Sequence, residues 1–394
     1  MYIAQAFNVL HDWWRYLVGL VIVVIAVIIG QIPFTAAVML KAVRNGDNLL
    51  GMDETKMMTL LEPNLNLFLM LLSFAVGLLG LLLVVKYMHN QSFTSLTTSR
   101  KKIDWKRFWF IFFVWGIISS GLVIVDYFMS PEDYMINFKL IPFLILCVIA
   151  IIFVPLQTSF EEYLFRGYLM QGIGVSSIKK EFPFILIYTI ASILGFIYLN
   201  SLFSFGVFLS LLIFIGLSII LMLILNYKLF DNFFNSNTYF VLIKIFKRNS
   251  TPLIITSLVF GLLHIANPEV DRLGSVIMIY YIGTGLFLGI MTLMDEGMEL
   301  ALGFHAANNL FTALLVTADW TAFQTHSVLK DMSDPTEMGF TEIFMPVFIV
   351  FPILLFILAK IYKWTNWKEK LFGSVVEPLK EDSLILEDSH SSDN

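Results

Sequence analysis

Residues 140–166 read LIPFLILCVIAIIFVPLQTSFEEYLFR. The first part, 140–160, is almost wholly apolar and has the length of about 20 residues that an α-helix needs to cross a bilayer. Two glutamates and an arginine then follow, Glu161, Glu162 and Arg166. A charged side chain at the centre of a bilayer costs roughly 2.5–3.5 kcal/mol on insertion scales, so these groups must pair with one another or perform chemistry.

Two later segments also place polar side chains in apolar runs. They are Phe260-Gly-Leu-Leu-His264, within residues 251–267, and His305-Ala-Ala-Asn308-Asn309, within residues 299–317. In the second segment Asn308 and Asn309 lie three and four residues after His305, so all three side chains share one face of a helix. Three separate helices are therefore predicted to carry polar groups into the membrane.

The composition is that of a membrane protein. Of 394 residues, 58% are hydrophobic and 14% are charged, whereas a soluble domain carries about 25% charged residues. The single cysteine, Cys147, excludes an intramolecular disulfide and a multi-cysteine metal site. The sequence contains no phosphate-binding glycine loop and no basic patch for nucleic acid, so we expect the lipid bilayer, and not nucleic acid, to be a partner.

The apolar runs predict an all-α fold, a polytopic transmembrane helical bundle of about ten spans within a range of eight to ten. The first run has no basic cluster before it and no clear small-residue cleavage site after it, so we interpret it as a retained helix and not as a signal peptide. The seventh and ninth runs are short and carry polar motifs. The ten candidates are residues 16–34, 65–85, 108–126, 140–160, 182–200, 203–225, 251–267, 276–294, 299–317 and 343–361.

The basic residues predict the orientation of the chain. With ten spans, 19 of the 25 lysines and arginines fall on one side, which the positive-inside rule makes cytoplasmic. Both termini lie on that side. We therefore expect a multi-pass integral membrane protein with its N- and C-termini in the cytoplasm. The membrane we expect is the bacterial inner membrane, although the distribution of charge does not itself identify the organism.

The distribution of polar groups predicts four regions. Residues 140–320 hold the polar motifs and form the transmembrane core. Residues 1–130 supply about three spans without an intramembrane acid or histidine, which we interpret as an accessory, lipid-facing addition. Residues 321–365 form an outer loop and the last span. Residues 366–394 are predicted to be a cytoplasmic, disordered tail, because its end is rich in serine, aspartate and glutamate.

Each motif also has a purely structural interpretation. Glu162 and Arg166 are four residues apart and can form an ion pair on one helix. A lone histidine near a helix end, such as His264, is usually structural, and buried asparagine and histidine side chains commonly join membrane helices by hydrogen bonds. These interpretations leave Glu161 unexplained, since it is rotated about 100° from Glu162 on a helix.

Taken together, the motifs predict a site that activates water. A carboxylate can take a proton from water, and a histidine and an asparagine amide can donate hydrogen bonds to a developing oxyanion. The alternative is a zinc ion held by Glu161, His264 and His305, because two histidines and a glutamate are a known ligand set. The sequence lacks the His-Glu-x-x-His motif of one class of metalloproteases.

The three motifs, EExxxR, FxxxH and HxxxN, resemble those of the CPBP family, the CAAX-protease and bacteriocin-processing (Abi) membrane proteins. The resemblance covers roughly residues 140–320 and extends to the sequence Tyr-Leu-Phe-Arg-Gly-Tyr-Leu after the two acids. It implies an all-helical intramembrane endopeptidase that acts on a membrane-associated peptide or protein.

The resemblance also implies a role for each residue. Glu161 activates the water, His264 helps to position it, and His305 and Asn309 stabilise the oxyanion. Glu162 is counted with this catalytic set, and Arg166 and Phe260 support it structurally. The resemblance favours catalysis without a metal, with zinc as the alternative cofactor.

Two other functions remain open on the sequence. One is a non-catalytic role in bacteriocin immunity or as a scaffold. The other is transport, because intramembrane acids and histidines also mark proton relays, but we find no paired repeats of the kind that transporters use.

The predicted spans leave His264 and Glu161 at different depths. His264 lies 13 residues into its span, about 20 Å by helical rise, whereas Glu161 lies at the cytoplasmic end of its own. We expect Glu161 to lie deeper, in a helix that continues through Leu169.

Overall fold

The computed structural model describes residues 1–47, 59–203, 230–335 and 340–378, with isolated residues between 209 and 223. This part of the chain is helical, apart from turns and three strands of three residues each. The predicted all-α, polytopic transmembrane bundle is therefore confirmed. Helices prevail because a helix satisfies its own backbone hydrogen bonds, which lipid cannot do.

The elements follow one another in a simple order. The helices are α1 Trp13–Asn45, α2 Pro63–Met88, α3 Phe93–Thr97, α4 Trp105–Met129, α5 Leu140–Glu162, α6 Met170–Ser176, α7 Phe182–Phe203, α8 Asp231–Phe234, α9 Asn237–Phe246, α10 Ser250–Leu262, α11 Pro268–Leu273, α12 Met278–Asp295, α13 Glu299–Leu315, α14 Phe340–Met345, α15 Phe351–Ile361 and α16 Trp367–Phe372. Two π-helical turns, Tyr163–Leu169 and Pro346–Val350, join α5 to α6 and α14 to α15. The strands are β1 Tyr134–Ile136, β2 Val316–Ala318 and β3 Leu329–Asp331.

Within the described residues, six helices are long and apolar enough to cross a bilayer. They are Trp13–Asn45, Pro63–Met88, Trp105–Met129, Leu140–Ser176, Ser275–Asp295 and Ile343–Ile361, and each corresponds to one of the ten predicted spans. Helix α7 covers the prediction at 182–200, and most of the prediction at 203–225 lies outside the described residues. Helices α10 and α13 have 13 and 17 residues, which is shorter than the ~20 that a crossing needs. These two short helices carry the second and third polar motifs.

The helix that begins at Leu140 is longer than its predicted span. It continues without a break from Leu140 through the π-helical turn to Ser176, over 37 residues. Fourteen of them, 163–176, follow Glu162, which is about 21 Å of helical rise. The prediction that the helix continues past Glu161 and through Leu169 is therefore confirmed. The depth of Glu161 in the membrane stays a prediction.

Helix α10 runs antiparallel to this long helix. The two aromatic rings of Phe165 and Phe260 are in contact, with centroids 5.4 Å apart. Leu253 of α10 and Met170 of the long helix both lie against Gly289 of α12. A methyl group on that glycine would be within 3.4 Å of each of them. Residues that precede Phe165 therefore lie level with residues that follow Phe260.

Helix α13 packs closely on α4. The Cα of Gly303 lies so near α4 that a methyl group there would be 2.4 Å from the backbone oxygen of Phe108. On α4, a methyl group at Gly116 would be 2.3 Å from the ring of Phe311. Small residues at such crossings let two membrane helices approach. Helix α4, which belongs to the region 1–130 predicted to be an accessory addition, thus packs against the helix that carries His305.

The loops at one end of the bundle bond to one another. The backbone N–H of Leu10 donates to His89 at 3.0 Å, that of Ser99 donates to Glu296 at 2.9 Å, and that of Asn249 donates to Gly373 at 2.9 Å. These loops are among those that the basic residues assign to the cytoplasmic side. The side of the membrane that this end faces stays a prediction.

The same end holds a network of ion pairs in which buried carboxylates bind partly exposed arginines. Arg100 binds both Asp295, at 2.9 Å, and Glu299, at 3.1 Å. Arg107 also pairs with Asp295, which accepts a further hydrogen bond from the Trp364 indole at 3.0 Å. This network fastens the end of α12 and the start of α13 to the loop before α4.

The three strands form a small sheet at the other end. Their order is β1-β3-β2, with β1 antiparallel and β2 parallel to β3. Because β2 starts directly after α13, the sheet holds the far end of the helix that carries His305 and Asn309.

The C-terminal region is only partly as predicted. Residues 366–378, which we assigned to a disordered tail, include helix α16 and a strand-like bridge from Ser374 to Arg248. The difference arises because Leu371 and Val375 are apolar and bury against the bundle. Residues 379–394 lie outside the described residues.

Candidate active site

A buried ion pair lies at the first motif. Arg166 Nη1 donates to Glu162 Oε1 at 2.9 Å, and the two side chains are 1% and 0% exposed. The second guanidinium nitrogen, Nη2, donates to the carbonyl of Gly285 at 3.1 Å, and the guanidinium lies 4.4 Å from the centre of the Phe260 ring. The predicted pairing of Glu162 with Arg166 is therefore confirmed, and Phe260 supports the arginine through a cation–π contact.

Arg166 lies within the π-helical turn that follows Glu162. The turn spans Tyr163–Leu169 and inserts into a helix that is otherwise regular. Such wide turns shift the register of the side chains and are frequent at functional sites.

His305 lies between the two glutamates. Its Nδ1 is 2.7 Å from Glu162 Oε1, and its Nε2 is 3.6 Å from Glu161 Oε2. The carboxylate oxygen of Glu162 that binds Arg166 therefore also binds His305. With an ionised Glu162, Nδ1 carries a proton and donates, which orients the ring so that Nε2 faces Glu161.

Glu161 is held by a residue that the sequence analysis did not select. Gln157 Nε2 donates to Glu161 Oε1 at 2.5 Å, and both side chains are buried. Gln157 lies four residues before Glu161, at the end of the apolar run that begins at residue 140. That spacing places the two on one helix face and could have revealed Gln157.

Asn309 completes the cluster. Its Nδ2 donates to Gln157 Oε1 at 3.2 Å and lies 3.5 Å from His305 Nε2. The neighbouring Asn308 donates to Asn309 Oδ1 at 3.2 Å and accepts a hydrogen bond from the Trp115 indole at 3.1 Å. The structure thus brings Glu161, Glu162, His305 and Asn309 together, as the motifs predict, with Asn308 on the same helix face, and it adds Trp115 and Gln157.

His264 lies beside this cluster without bonding to it. Its Nδ1 is 2.8 Å from the carbonyl oxygen of Phe260, and its ring stacks on Tyr281 with centroids 4.5 Å apart. Among the described residues, no hydrogen bond or ion pair joins His264 to Glu161, Glu162 or His305.

The depth of His264 nevertheless agrees with that of Glu161. Glu161 lies four residues before Phe165, and His264 lies four residues after Phe260. Because those two aromatic rings are in contact and their helices are antiparallel, Glu161 and His264 lie at the same level. The Phe260 ring lies near both histidines, with centroids 4.9 Å from His264 and 6.2 Å from His305.

The ligand set that the sequence suggested for zinc is not assembled. Among the described residues, no group of three or more histidine, cysteine, aspartate or glutamate side chains could hold a metal ion. The physical reason is that both ring nitrogens of His305 are directed at carboxylates, while His264 bonds to its own helix. The side chains therefore do not fit a three-ligand zinc site, which normally needs both histidines on the metal.

Comparison with known proteins relates this geometry to a family. A family model described as type II CAAX prenyl endopeptidase Rce1-like matches residues 238–311. The match contains Phe260, His264, His305 and Asn309, the residues of the second and third motifs. The predicted resemblance to the CPBP proteases is confirmed.

The Rce1-like match supports a protease of the CAAX type in a multi-pass membrane protein. The chain is also similar to YyaK of Bacillus subtilis, an uncharacterized protein, with 23% identity over 308 residues, which are 77% of this chain and 78% of YyaK. No solved structure matches the chain. The first motif, with its two glutamates, lies outside the Rce1-like segment.

Proposed function

We propose that this protein is an intramembrane endopeptidase that hydrolyses a peptide bond in a membrane-associated peptide or protein. The observation that carries the proposal is the buried cluster in which His305 bridges Glu161 and Glu162 and the Asn309 amide lies beside it. Such a set supplies a base, a proton carrier and an oxyanion donor in one place.

Glu161 is the proposed base. Its carboxylate takes a proton from a water molecule, and the resulting hydroxide attacks the carbonyl carbon of the scissile bond. The C–N bond then breaks, and the proton passes from Glu161 to the leaving nitrogen. The products are a carboxylate and an amine, so the reaction consumes one water and needs no other reactant.

The oxyanion is the second charge that the site must accommodate. Asn309 Nδ2 donates a hydrogen bond to it, and His305 Nε2 donates as well when its ring carries both protons. Glu162 holds the His305 ring in position through Nδ1, and Arg166 holds Glu162. This support is the role we assign to the buried ion pair.

His264 retains the role that the resemblance implies. It lies level with Glu161, and its Nδ1 contact to the Phe260 carbonyl leaves Nε2 to hold the water or the substrate. No step of this scheme uses a metal, because the side chains do not assemble a zinc site.

The test compares cells that carry the intact protein with cells that carry Glu161→Gln. Glutamine has the shape of glutamate but cannot accept the proton, so we expect peptide N-termini that depend on the intact protein to vanish from the membrane fraction. Proteome-wide profiling of N-terminal peptides measures this. Glu132→Gln, at an exposed position, is the matched control.

Two results contradict the proposal. One is an identical set of N-termini with Glu161→Gln and with the intact protein, at equal amounts of inserted protein. The other is full complementation of a deletion phenotype by Glu161→Gln, which favours the non-catalytic immunity or scaffold role. A farnesylated CAAX peptide, added to purified protein in nanodiscs, then tests whether the substrate is prenylated, as the name of the matching family suggests.

A further inference from the structure

A continuous line of hydrogen bonds connects helix α4 to Glu161. It begins at Trp115 Nε1, which donates to Asn308 Oδ1 at 3.1 Å, and Asn308 Nδ2 donates to Asn309 Oδ1 at 3.2 Å. Asn309 Nδ2 donates to Gln157 Oε1 at 3.2 Å, and Gln157 Nε2 donates to Glu161 Oε1 at 2.5 Å. We call these five side chains the amide relay; they come from three helices, α4, α13 and α5.

The two ends of the amide relay determine its direction. An indole N–H can only donate a hydrogen bond, and an ionised carboxylate can only accept one. Each amide between them must therefore turn its oxygen towards Trp115 and its nitrogen towards Glu161. If any one amide were flipped, donors would face donors at one link and acceptors would face acceptors at the next.

The relay thereby orients the amide that matters for the proposed reaction. Asn309 Nδ2, and not Oδ1, faces the space between Gln157 and His305, at 3.2 and 3.5 Å from their nearest atoms. An asparagine rotated by 180° about its last bond would present an acceptor there and would repel an oxyanion.

Burial strengthens the two ends of the relay. Trp115 is 8% exposed, Gln157 is 4% exposed and Glu161 is 8% exposed, whereas Asn308 and Asn309 are partly buried. Away from water, hydrogen bonds that point the same way polarise one another, and a broken link leaves the buried polar atoms of Trp115 or Gln157 without a partner. The charge of Glu161 at one end is thus linked to the Trp115 indole at the other.

We propose that Trp115, Asn308 and Gln157 are positioning residues, which set the orientation of the Asn309 amide and hold the Glu161 carboxylate. None of the three occupies a fixed position of the EExxxR, FxxxH or HxxxN motifs, although Asn308 lies between the fixed positions of the third. The proposal rests on the proposed endopeptidase function for its kinetic consequence, but the relay itself is a property of the structure.

The first experiment detects the relay without any substrate. Ultraviolet resonance Raman spectra of the full chain in lipid nanodiscs report hydrogen bonding of indole N–H groups, and the difference between the intact protein and Trp115→Phe isolates Trp115 among eight tryptophans. We expect its signal to change to that of an unbonded indole in Asn308→Leu and to shift part of the way in Gln157→Leu. A Trp115 signal that is the same in the intact protein, in Asn308→Leu and in Gln157→Leu overturns the proposal.

The second experiment measures the kinetic consequence. Its substrate is a peptide whose cleavage depends on the intact protein in the N-terminal profiling. We expect Trp115→Phe and Asn308→Asp to lower kcat about 10-fold with little change in KM. Substitution of a residue that holds a functional side chain in place typically has an effect of this size. Gln157→Leu, which touches both Glu161 and Asn309, should lower kcat by on the order of 100-fold. Trp109→Phe, on the exposed side of the same helix, is the matched control.

The two proposals fail in different ways. If Glu161→Gln abolishes cleavage while Trp115→Phe and Gln157→Leu keep the kcat of the intact protein, the positioning role is wrong and the protease stands. If Glu161→Gln cleaves normally, the protease is wrong, and the Raman spectra alone decide whether the amide relay exists.

Discussion

At the scale of single residues, two adjacent glutamates take different partners because a helix rotates each residue by about 100°. Glu162 turns inward to Arg166 and His305, at 2.9 and 2.7 Å, and is fully buried. Glu161 turns to Gln157 and lies beside Nε2 of His305. One carboxylate is thus balanced by an arginine, while the other is bonded to a neutral glutamine.

The first prediction concerns the Glu162–Arg166 pair. Arg166→Met leaves a buried carboxylate without its cation, and we expect a loss of about 3–5 kcal/mol in the free energy of unfolding. The double variant Glu162→Gln with Arg166→Met removes both charges and should recover most of that loss. Reversible unfolding in mixed micelles measures Arg166→Met, Glu162→Gln and the double variant. Additive effects of the two single changes are the outcome that contradicts a direct ion pair.

At the scale of elements, α13 carries His305 to the glutamates and packs closely on α4. Gly303, two residues before His305, lies against the backbone of Phe108, and Gly116 of α4 lies against Phe311. The same close packing lets Asn308 reach the Trp115 indole. The π-helical turn after Glu162 makes the corresponding adjustment in the long helix, by placing Arg166 inside the bundle.

The second prediction tests this helix crossing. In Gly303→Ala the new methyl group would lie 2.4 Å from a backbone oxygen, so one helix must move. We expect a loss of about 1–3 kcal/mol in stability, as for other overpacked cores, and a lower rate of cleavage. Thermal unfolding and the peptide assay measure the two effects.

Gly121→Ala is the control for that change. Gly121 also lies in a membrane helix, α4, but a methyl group there would have no neighbour within 4 Å. Alanine favours a helix over glycine by about 0.5–1 kcal/mol, so this variant should be as stable as the intact protein or more stable. Equal losses in Gly303→Ala and Gly121→Ala are incompatible with a specific contact at Gly303.

At the scale of the whole molecule, contacts between residues far apart in sequence hold the two ends of the bundle. At one end Arg100 joins Asp295 and Glu299. At the other end Glu269 of α11 accepts a hydrogen bond from the backbone N–H of Ala322, in the loop between β2 and β3, at 2.9 Å. That loop follows the helix that carries His305, so Glu269 helps to hold the far end of the site.

The third prediction follows from the pKa of Glu269, which lies outside the membrane-spanning helices. Burial raises this pKa above its ordinary value, and the Ala322 N–H offsets part of the rise. A raised pKa means that the fold favours the protonated acid. Its contribution to stability is therefore complete below the pKa of the unfolded chain, about 4.3, and is lost as the pH rises through the raised pKa.

The measurement is the melting temperature of the purified protein between pH 4 and pH 8. Glu269→Gln cannot ionise, so its melting temperature should exceed that of the intact protein by an amount that grows with pH over this window. Glu132→Gln, at an exposed position, should follow the intact protein. A constant difference between Glu269→Gln and the intact protein at every pH argues against ionisation at this site.

The sequence by itself determined the fold class and the local pairings. Long apolar runs require helices, since lipid offers no hydrogen bonds to the backbone. The spacing of four residues placed Glu162 with Arg166, and the same spacing placed Asn309 on the face of His305. These features depend on neighbours within one helix, whose geometry is known in advance.

Only the tertiary structure decided which groups meet between helices. It placed His305 between both glutamates, kept His264 level with Glu161 but bonded to its own helix, and brought in Trp115, which lies 193 residues from its partner Asn308. The physical reason is that these contacts depend on the crossing of α4, α5, α10 and α13. Helix crossings follow from the packing of glycines and large side chains over whole helix faces, which the local spacing of residues does not specify.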